Sequence, residues 1–159
     1  MSDRFAHATF GRVLLGVLAL GILPLAFWAS FAPRQFYDDF PGGGRSWIAV
    51  DGPYNEHLVR DVGALSLALL VVTVFAFITL SVPLVRATAA AFLAIGVLHV
   101  GFHLRHLVLY GTADQIGSIG GLLLAPVVAI VLLGATMRPS ATRSSPSSTS
   151  ASTAPTAPS

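Results

Sequence analysis

Cysteine and lysine are both absent from this chain of 159 residues. The absence of cysteine excludes disulfides, thiolate metal ligands, iron–sulfur clusters and cysteine nucleophiles. Charged residues make up only 10% of the chain, and the formal net charge of +2 is too small to indicate a nucleic-acid partner. The use of arginine without lysine, together with many Ala, Gly and Pro residues, is typical of a high-GC bacterial genome.

Hydrophobic residues account for 54% of the chain, and its mean hydropathy of +0.77 is typical of an integral membrane protein. A helix needs about 20 apolar residues to cross the hydrocarbon core of a lipid bilayer. Four spans meet this requirement, at residues 12–31, 58–80, 84–109 and 116–137. The sequence therefore predicts an all-α transmembrane four-helix bundle (12–137), preceded by a short cytoplasmic segment (1–11) and followed by a disordered tail rich in Ser, Thr, Pro and Ala (138–159).

The arginine positions predict the orientation of the bundle. Four spans place both termini on one side, and arginine accumulates in cytoplasmic segments. The face that carries the termini holds Arg4, Arg12, Arg86, Arg138 and Arg143, and the opposite face holds Arg34, Arg45, Arg60 and Arg105. Five arginines against four favour cytoplasmic termini (N-in, C-in) in the inner membrane of a bacterium.

Three histidines occur in the third span, where contact with lipid gives no reason for polar side chains. His99, His103 and His106 are separated by four and three residues, so they share one helical face, which Tyr110 extends. Polar groups inside a membrane are costly and usually face protein or a water-filled cavity. This face is the strongest functional signal in the sequence.

The second span begins with a charged segment. Asn55 is a predicted N-cap. A spacing of four residues pairs Glu56 with Arg60, and the same spacing pairs His57 with Asp61. We therefore expect two polar pairs on neighbouring stripes of this helix.

The stripe of His57 and Asp61 continues with Ala64 and Ala68, and small residues permit close approach of another helix. The second and third spans are joined by a short connection, so they are expected to be antiparallel neighbours. We expect the stripe to face the third span, where Asp61 would meet the histidines. The resulting outward-facing polar pocket would contain Glu56, His57, Arg60, Asp61, Arg105 and Tyr110.

This polar set has four interpretations. Intramembrane polar groups pair with one another even where no chemistry takes place, so one interpretation is a structural network of hydrogen bonds and ion pairs. A second is a metal or haem site with His99, His103, His106 and Asp61 as ligands. A third is an enzyme with a His–Asp acid–base pair, although no nucleophile accompanies it. A proton or solute pathway is the fourth, but polar residues do not continue from His99 toward Arg86 beyond a single threonine.

The loop of residues 32–54 alternates aromatic and charged side chains. Phe36, Tyr37, Phe40 and Trp47 belong to the residue types that occupy the membrane interface. The favoured interpretation is a loop that lies flat on the membrane. The alternative is a lid over the histidines or a loop that docks a partner.

Small residues recur at intervals of four in the fourth span, at Gly117, Gly121, Ala125 and Ala129. Such a stripe lets a neighbouring helix approach closely. We expect it to serve packing within the bundle, and the alternative is the interface of a homo-oligomer.

Residues 31–41 (FAPRQFYDDFP) and 55–63 (NEHLVRDVG), followed by the histidine-bearing span, resemble a group of uncharacterised small four-helix membrane proteins from high-GC bacteria. A looser similarity is to DoxX-like membrane proteins. The resemblance covers about residues 12–137 and leaves out the tail. It implies a four-helix bundle and assigns no catalytic residue, because similarity of fold does not give function.

The leading functional interpretation is a non-enzymatic membrane component. It would bind a membrane-protein partner, a second copy of itself or a small ligand at the polar pocket. The alternative is a metal- or haem-binding redox protein that uses the histidines of the third span.

Overall fold

A computed structural model describes residues 8–137, and the structure is mostly helical (86%). Its elements are α1 (Ala8–Pro24), a π-helical continuation (Leu25–Ala29), α2 (Pro33–Asp39), β1 (Pro41–Gly42), β2 (Arg45–Ser46), a 3-10 turn (Ala49–Asp51), α3 (Glu56–Thr79), α4 (Val82–His106), a second 3-10 turn (Leu107–Leu109) and α5 (Thr112–Met137). Four helices, namely Ala8–Ala29, α3, α4 and α5, are long and apolar enough to cross a membrane. The prediction of a multi-pass helical membrane protein is thus confirmed. The predicted tail (138–159) and residues 1–7 of the predicted N-terminal segment lie outside the described residues.

The outer surface of the bundle is apolar, as a lipid environment requires. Leu65 and Leu98 are 73% and 76% exposed, and many other large apolar side chains are also exposed. A water-soluble monomer rarely exposes apolar surface this extensively. The exposed apolar face is therefore the one that contacts lipid.

The connections between the helices define two ends of the bundle. The turn end contains the start of α1, the α3–α4 turn and the end of α5, and the loop end contains residues 30–55 and 107–111. At the turn end, α3 stops at Leu80, which has a left-handed φ of 50° and whose amide still donates to the carbonyl of Ala76. This conformation costs about 1–3 kcal/mol for a residue other than glycine. Burial of the Leu80 side chain offsets the cost.

All four spanning helices meet in one apolar core near the turn end. Its buried residues are Leu15, Leu18, Ala76, Leu80, Val85, Ala89, Phe92, Val128, Ala129 and Leu132. Lipid is as apolar as these side chains, so the association depends on close packing and not on exclusion of water. Arg86 adds a polar contact here, because its guanidinium donates to the main-chain oxygen of Thr136 (2.6 Å) near the end of α5.

Toward the loop end the helices pack chiefly as two pairs, the first helix with α3 and α4 with α5. Each pair contains a glycine at a point of close approach. A Cβ on Gly63 would lie 2.5 Å from the backbone nitrogen of Ser30, and a Cβ on Gly96 would lie 2.9 Å from the ring of Pro126. The absence of a side chain at these two positions is what allows the contacts.

The prediction that the Asp61 stripe faces the third span is wrong. Ala64 and Ala68 are exposed, and the buried face of α3 carries Val59 and Gly63 instead. Two residues of an α-helix correspond to about 200° of rotation. Because Gly63 docks against the first helix, Asp61 points away from that contact and out of the bundle.

The small-residue stripe of α5 packs inside the bundle only in its second half. Ala129 lies in the core and Ala125 packs against it. Gly117 lies next to Trp47, whose ring would be 3.3 Å from a Cβ at that position. No described atom comes within 4 Å of the Cβ position of Gly121. The half of the stripe nearest the loop end is therefore covered by the loop or left open to lipid.

We expect Gly63→Ala to destabilise the protein by about 1–3 kcal/mol, because the added methyl group would overlap the backbone of Ser30. Gly120→Ala is the matched control. No described atom lies within 4 Å of its Cβ position, and alanine in a helix is up to about 1 kcal/mol better than glycine. The free energy of unfolding in detergent micelles measures both effects. Equal stability of the two variants would contradict the close contact at Gly63.

Candidate functional site

The segment between the first helix and α3 folds over the loop end, and we call residues 30–55 the cap. Pro33 begins α2, since the fixed φ of proline suits the first helical turn. A two-residue turn joins β1 to β2. Its residues, Gly43 and Gly44, have φ values of 66° and 75°, which glycine adopts without strain.

Aromatic side chains anchor the cap to the first helix and α3. Phe36 is 3% exposed and packs with Ala29 and Val59. The rings of Trp28 and Phe40 lie against Phe36, with centroid distances of 5.9 and 4.9 Å. Aromatic residues expected to lie flat at the membrane interface therefore include members of a packed cluster. This part of the cap therefore packs on the first helix and α3 and does not lie flat on the membrane as a whole; a lid over the histidines stays a prediction.

Polar contacts fasten the cap to the α4–α5 connection. The carboxylate of Asp114 accepts a hydrogen bond from the indole N–H of Trp47 (2.9 Å) and pairs with the guanidinium of Arg45 (2.7 Å). The hydroxyl of Tyr110 lies 3.1 Å from the carbonyl oxygen of Trp47 and 3.2 Å from a carboxylate oxygen of Asp51. Burial and the neighbouring Asp51 carboxylate raise the pKa of Tyr110 to about 12.

The histidine face forms a pair and not a group of three. The ring of His103 lies 4.7 Å from that of His99 and 6.3 Å from that of Tyr110, between centroids. His103 is 9% exposed, and its Nδ1 has no hydrogen-bond partner among the described residues. The Nδ1 of His106 lies 2.8 Å from the carbonyl oxygen of Phe102, and the two rings stack. His106 is thus engaged by its own helix.

The predicted metal ligands are not brought together. Within residues 8–137, no three His, Asp or Glu side chains lie close enough to hold one metal ion. Asp61 pairs with His57 at 3.4 Å and is half-exposed. The rotation of α3 set by Gly63 accounts for this outcome, because it turns Asp61 away from the bundle.

The residues predicted to share one polar pocket are divided among four places. These are the cap contact (Tyr110), the outward face of α3 (His57 and Asp61), the exposed side of α4 (Arg105) and a cleft at the start of α3 (Glu56 and Arg60). The predicted pocket between the second and third spans is therefore replaced by a cleft between α2 and α3.

This cleft has a volume of about 570 Å³. Its charged lining consists of Arg34, Asp38, Asp39, Glu56 and Arg60, and the ring of Tyr54 also lines it. Three carboxylates and two guanidiniums give these side chains a net charge of −1. The cleft lies at the loop end, beside the start of α3, one of the helices long and apolar enough to cross a membrane.

Each guanidinium of the cleft is held by a carboxylate four residues away. The Nε of Arg34 lies 2.7 Å from Asp38, and the Nε of Arg60 lies 2.8 Å from Glu56. Asp38 raises the pKa of Arg34 above its ordinary value through a hydrogen bond and its charge. Arg60 also donates to the main-chain oxygen of Ser30 (2.7 Å). Exposed pairs of this kind add little stability, but they fix the positions of the charged groups.

Arg34 and Asp38 were not predicted to share a site with Glu56 and Arg60. A signal was present, because the two residues are four apart directly after Pro33, a residue favoured at a helix start. α2 lies beside the start of α3 because Phe36 packs against Val59.

Titration of the full chain should show a tyrosinate component near pH 12, the pKa of Tyr110. The folded pKa exceeds the ordinary value of about 10, so this contribution to stability is complete below about pH 10 and is lost as the pH rises toward 12. Tyr110→Phe should remove the component and flatten the loss of stability in this range. Tyrosinate absorbance and unfolding midpoints measure these effects, with Tyr37→Phe as the control that keeps the component. Survival of the tyrosinate component near pH 12 in Tyr110→Phe would contradict the burial of the Tyr110 hydroxyl.

Comparison of the chain with protein-family models, with curated proteins and with solved structures finds no match. The resemblance to small four-helix membrane proteins therefore stays a prediction that rests on residues 31–41 and 55–63 and on the histidine-bearing span. Functional conclusions for this chain depend on the geometry of its own side chains.

Proposed function

We propose that this protein is a non-enzymatic component of the cytoplasmic membrane of a bacterium, and that it binds a small ligand bearing an ammonium group in the charged cleft. The cleft is the observation that supports the proposal. Its volume of about 570 Å³ lies within the range of small-molecule sites, which is about 300–1,000 Å³. The excess of one carboxylate over the guanidiniums favours a cation.

The lining of the cleft is suited to binding. Arg34 and Arg60 hold one oxygen each of Asp38 and Glu56. An ionised carboxylate has about four acceptor positions, so acceptors are left for a donor from the ligand. Acid–base catalysis by a His–Asp pair would be helped by burial, which shifts pKa values toward the working pH. The His57–Asp61 pair of α3 lacks such burial, because its two side chains are 88% and 52% exposed.

The two neighbouring histidines of α4 support a second candidate, a metal- or haem-binding redox protein. Among the described residues, the Nδ1 of His103 has no hydrogen-bond partner, so it is available as a metal ligand. The ring of His99 lies beside it. The absorption spectrum and metal content of detergent-purified protein test this candidate. A Soret band or stoichiometric metal that is lost in His103→Ala would establish it. Colourless, metal-free protein would overturn it.

We expect the cap to face the outside of the cell, on the basis of the arginine distribution. The chain lacks cysteine, so single introduced cysteines report their own location. Val50→Cys in the cap should react with a membrane-impermeant maleimide in intact spheroplasts. Met137→Cys at the turn end should react only after lysis. Both native side chains are exposed (43% and 69%). The reverse labelling pattern would mean that the cap is cytoplasmic.

Glycerophosphoethanolamine, which carries the ammonium group without acyl chains, is the probe for the cleft. We expect it to bind the detergent-solubilised full chain, and we expect Asp38→Asn to weaken binding about tenfold, since hydrogen bonds to charged groups are among the strongest in water. Asp61→Asn is the matched control, because Asp61 lies outside the cleft on the outward face of α3. Isothermal titration calorimetry measures the dissociation constants. Absence of binding, or equal loss in both variants, would overturn the proposed function.

A further inference from the structure

A second cavity lies directly before the charged cleft along the chain. It has a volume of about 590 Å³ and is lined by Leu23, Pro24, Phe27, Trp28 and Phe31. We call it the apolar groove. The first residue that lines the charged cleft, Ala32, follows the last residue of the groove. The lining thus changes from apolar to charged within three residues, between Phe31 and Arg34.

We propose that the two cavities together bind one diacyl phospholipid with a primary-amine headgroup, with the headgroup in the cleft and an acyl chain in the groove. This inference rests on the proposed function of the cleft and adds the class of the ligand. An amphiphilic occupant would suit both sites, because the residues that line the charged cleft directly follow those that line the apolar groove, at the end of a helix long enough to cross a membrane.

The local geometry of the first helix explains why a groove forms there. Pro24 has no amide hydrogen, so it cannot donate to the carbonyl four residues earlier. The helix continues from this residue as a π-helical segment, Leu25–Ala29, and such segments are frequent at functional sites. Phe27 and Phe31 stack beside it with centroids 5.9 Å apart. Together these residues form an aromatic wall on an irregular stretch of helix.

The length of the groove matches an acyl chain in one leaflet. Leu23 and Phe31 are eight residues apart, which corresponds to about 12 Å along a helix. Half of the hydrocarbon core is about 15 Å thick. A lipid whose headgroup lies in the cleft would therefore run its chain past most of the groove.

The charge of the cleft selects among headgroups. A primary ammonium donates three hydrogen bonds, which suits the carboxylates of Asp38, Asp39 and Glu56. A quaternary ammonium carries the same charge but has no N–H to donate. An anionic glycerol headgroup has neither a positive charge nor an N–H group. Its negative charge is repelled by a site whose charged side chains sum to −1. The expected order of affinity is phosphatidylethanolamine, then phosphatidylcholine, then phosphatidylglycerol.

Trp28 provides a readout inside the groove, since it is one of only two tryptophans in the chain. The full-length protein is reconstituted into phosphatidylcholine vesicles that contain a fixed fraction of phospholipid with brominated acyl chains, which quench nearby tryptophan. Three headgroups are compared on identical brominated chains: ethanolamine, choline and glycerol. Trp28→Phe identifies the part of the quenching that arises in the groove, because Trp47 then remains as the background.

We expect ethanolamine lipid to quench Trp28 with an apparent affinity about tenfold higher than glycerol lipid, the size expected for hydrogen bonds to charged groups. Asp38→Asn should abolish this preference, and Asp61→Asn should keep it. Leu23→Ala should weaken quenching by all three lipids. Leu20→Ala, a 70% exposed position that does not line the groove, should leave quenching unchanged.

The outcomes separate the inference from the proposed function. If all three headgroups quench equally while glycerophosphoethanolamine still binds in an Asp38-dependent manner, the cleft binds a free ligand and the phospholipid inference fails alone. If neither probe depends on Asp38, both fail. A headgroup preference that survives Asp38→Asn would place lipid selection outside the cleft and would also overturn the inference.

Discussion

The contact between Gly63 and Ser30 determines how the loop end of this protein is built. A side chain at position 63 would overlap the backbone of the first helix, so glycine is what lets α3 dock there. Arg60, one turn earlier on α3, donates to the main-chain oxygen of the same Ser30. These contacts fix the rotation of α3, place Glu56 and Arg60 beside α2 and turn Asp61 outward. The cleft depends on these contacts together with the packing of Phe36 against Val59, and the outward turn of Asp61 is one reason why no metal site forms among the described residues.

The cap joins two helix pairs that lie apart near the loop end. It packs on the first helix and α3 through Phe36, and it reaches the first turn of α5 through the contacts of Trp47 and Arg45 with Asp114. Each contact is modest, since exposed ion pairs contribute little. The buried members, Phe36 and Tyr110, hold the cap in place through apolar burial and a shielded hydrogen bond.

Features that depend on neighbours along the chain could be predicted from the sequence. Length and hydropathy were enough for four spans, and the side chain of Asn55 caps α3 by accepting from the amide of Leu58 (3.1 Å). The Glu56–Arg60 and His57–Asp61 pairs also form. Which face of α3 packs against another helix could not be predicted from neighbours along the chain. In a membrane, Ala64 and Ala68 are as compatible with lipid as with another helix, so their small size did not locate the interface. Gly63 marks the interface through its close approach to Ser30, which directly follows the first helix and lies more than thirty positions earlier in the chain.

The two ends of the bundle differ in how their helices are held together and in the charged groups that they carry. At the turn end, side chains from all four helices pack together, and Arg86 donates a hydrogen bond to the main-chain oxygen of Thr136 near the end of α5. Close packing is the main source of helix association in lipid, so the packed apolar side chains of this end are what chiefly hold the bundle together. The loop end is less needed for helix association and carries charged side chains. These side chains follow, along the chain, an irregular helical segment that presents apolar surface. The proposed amphiphilic ligand would match this arrangement, because its headgroup would meet the charged cleft and its acyl chain the apolar groove on one segment of the chain.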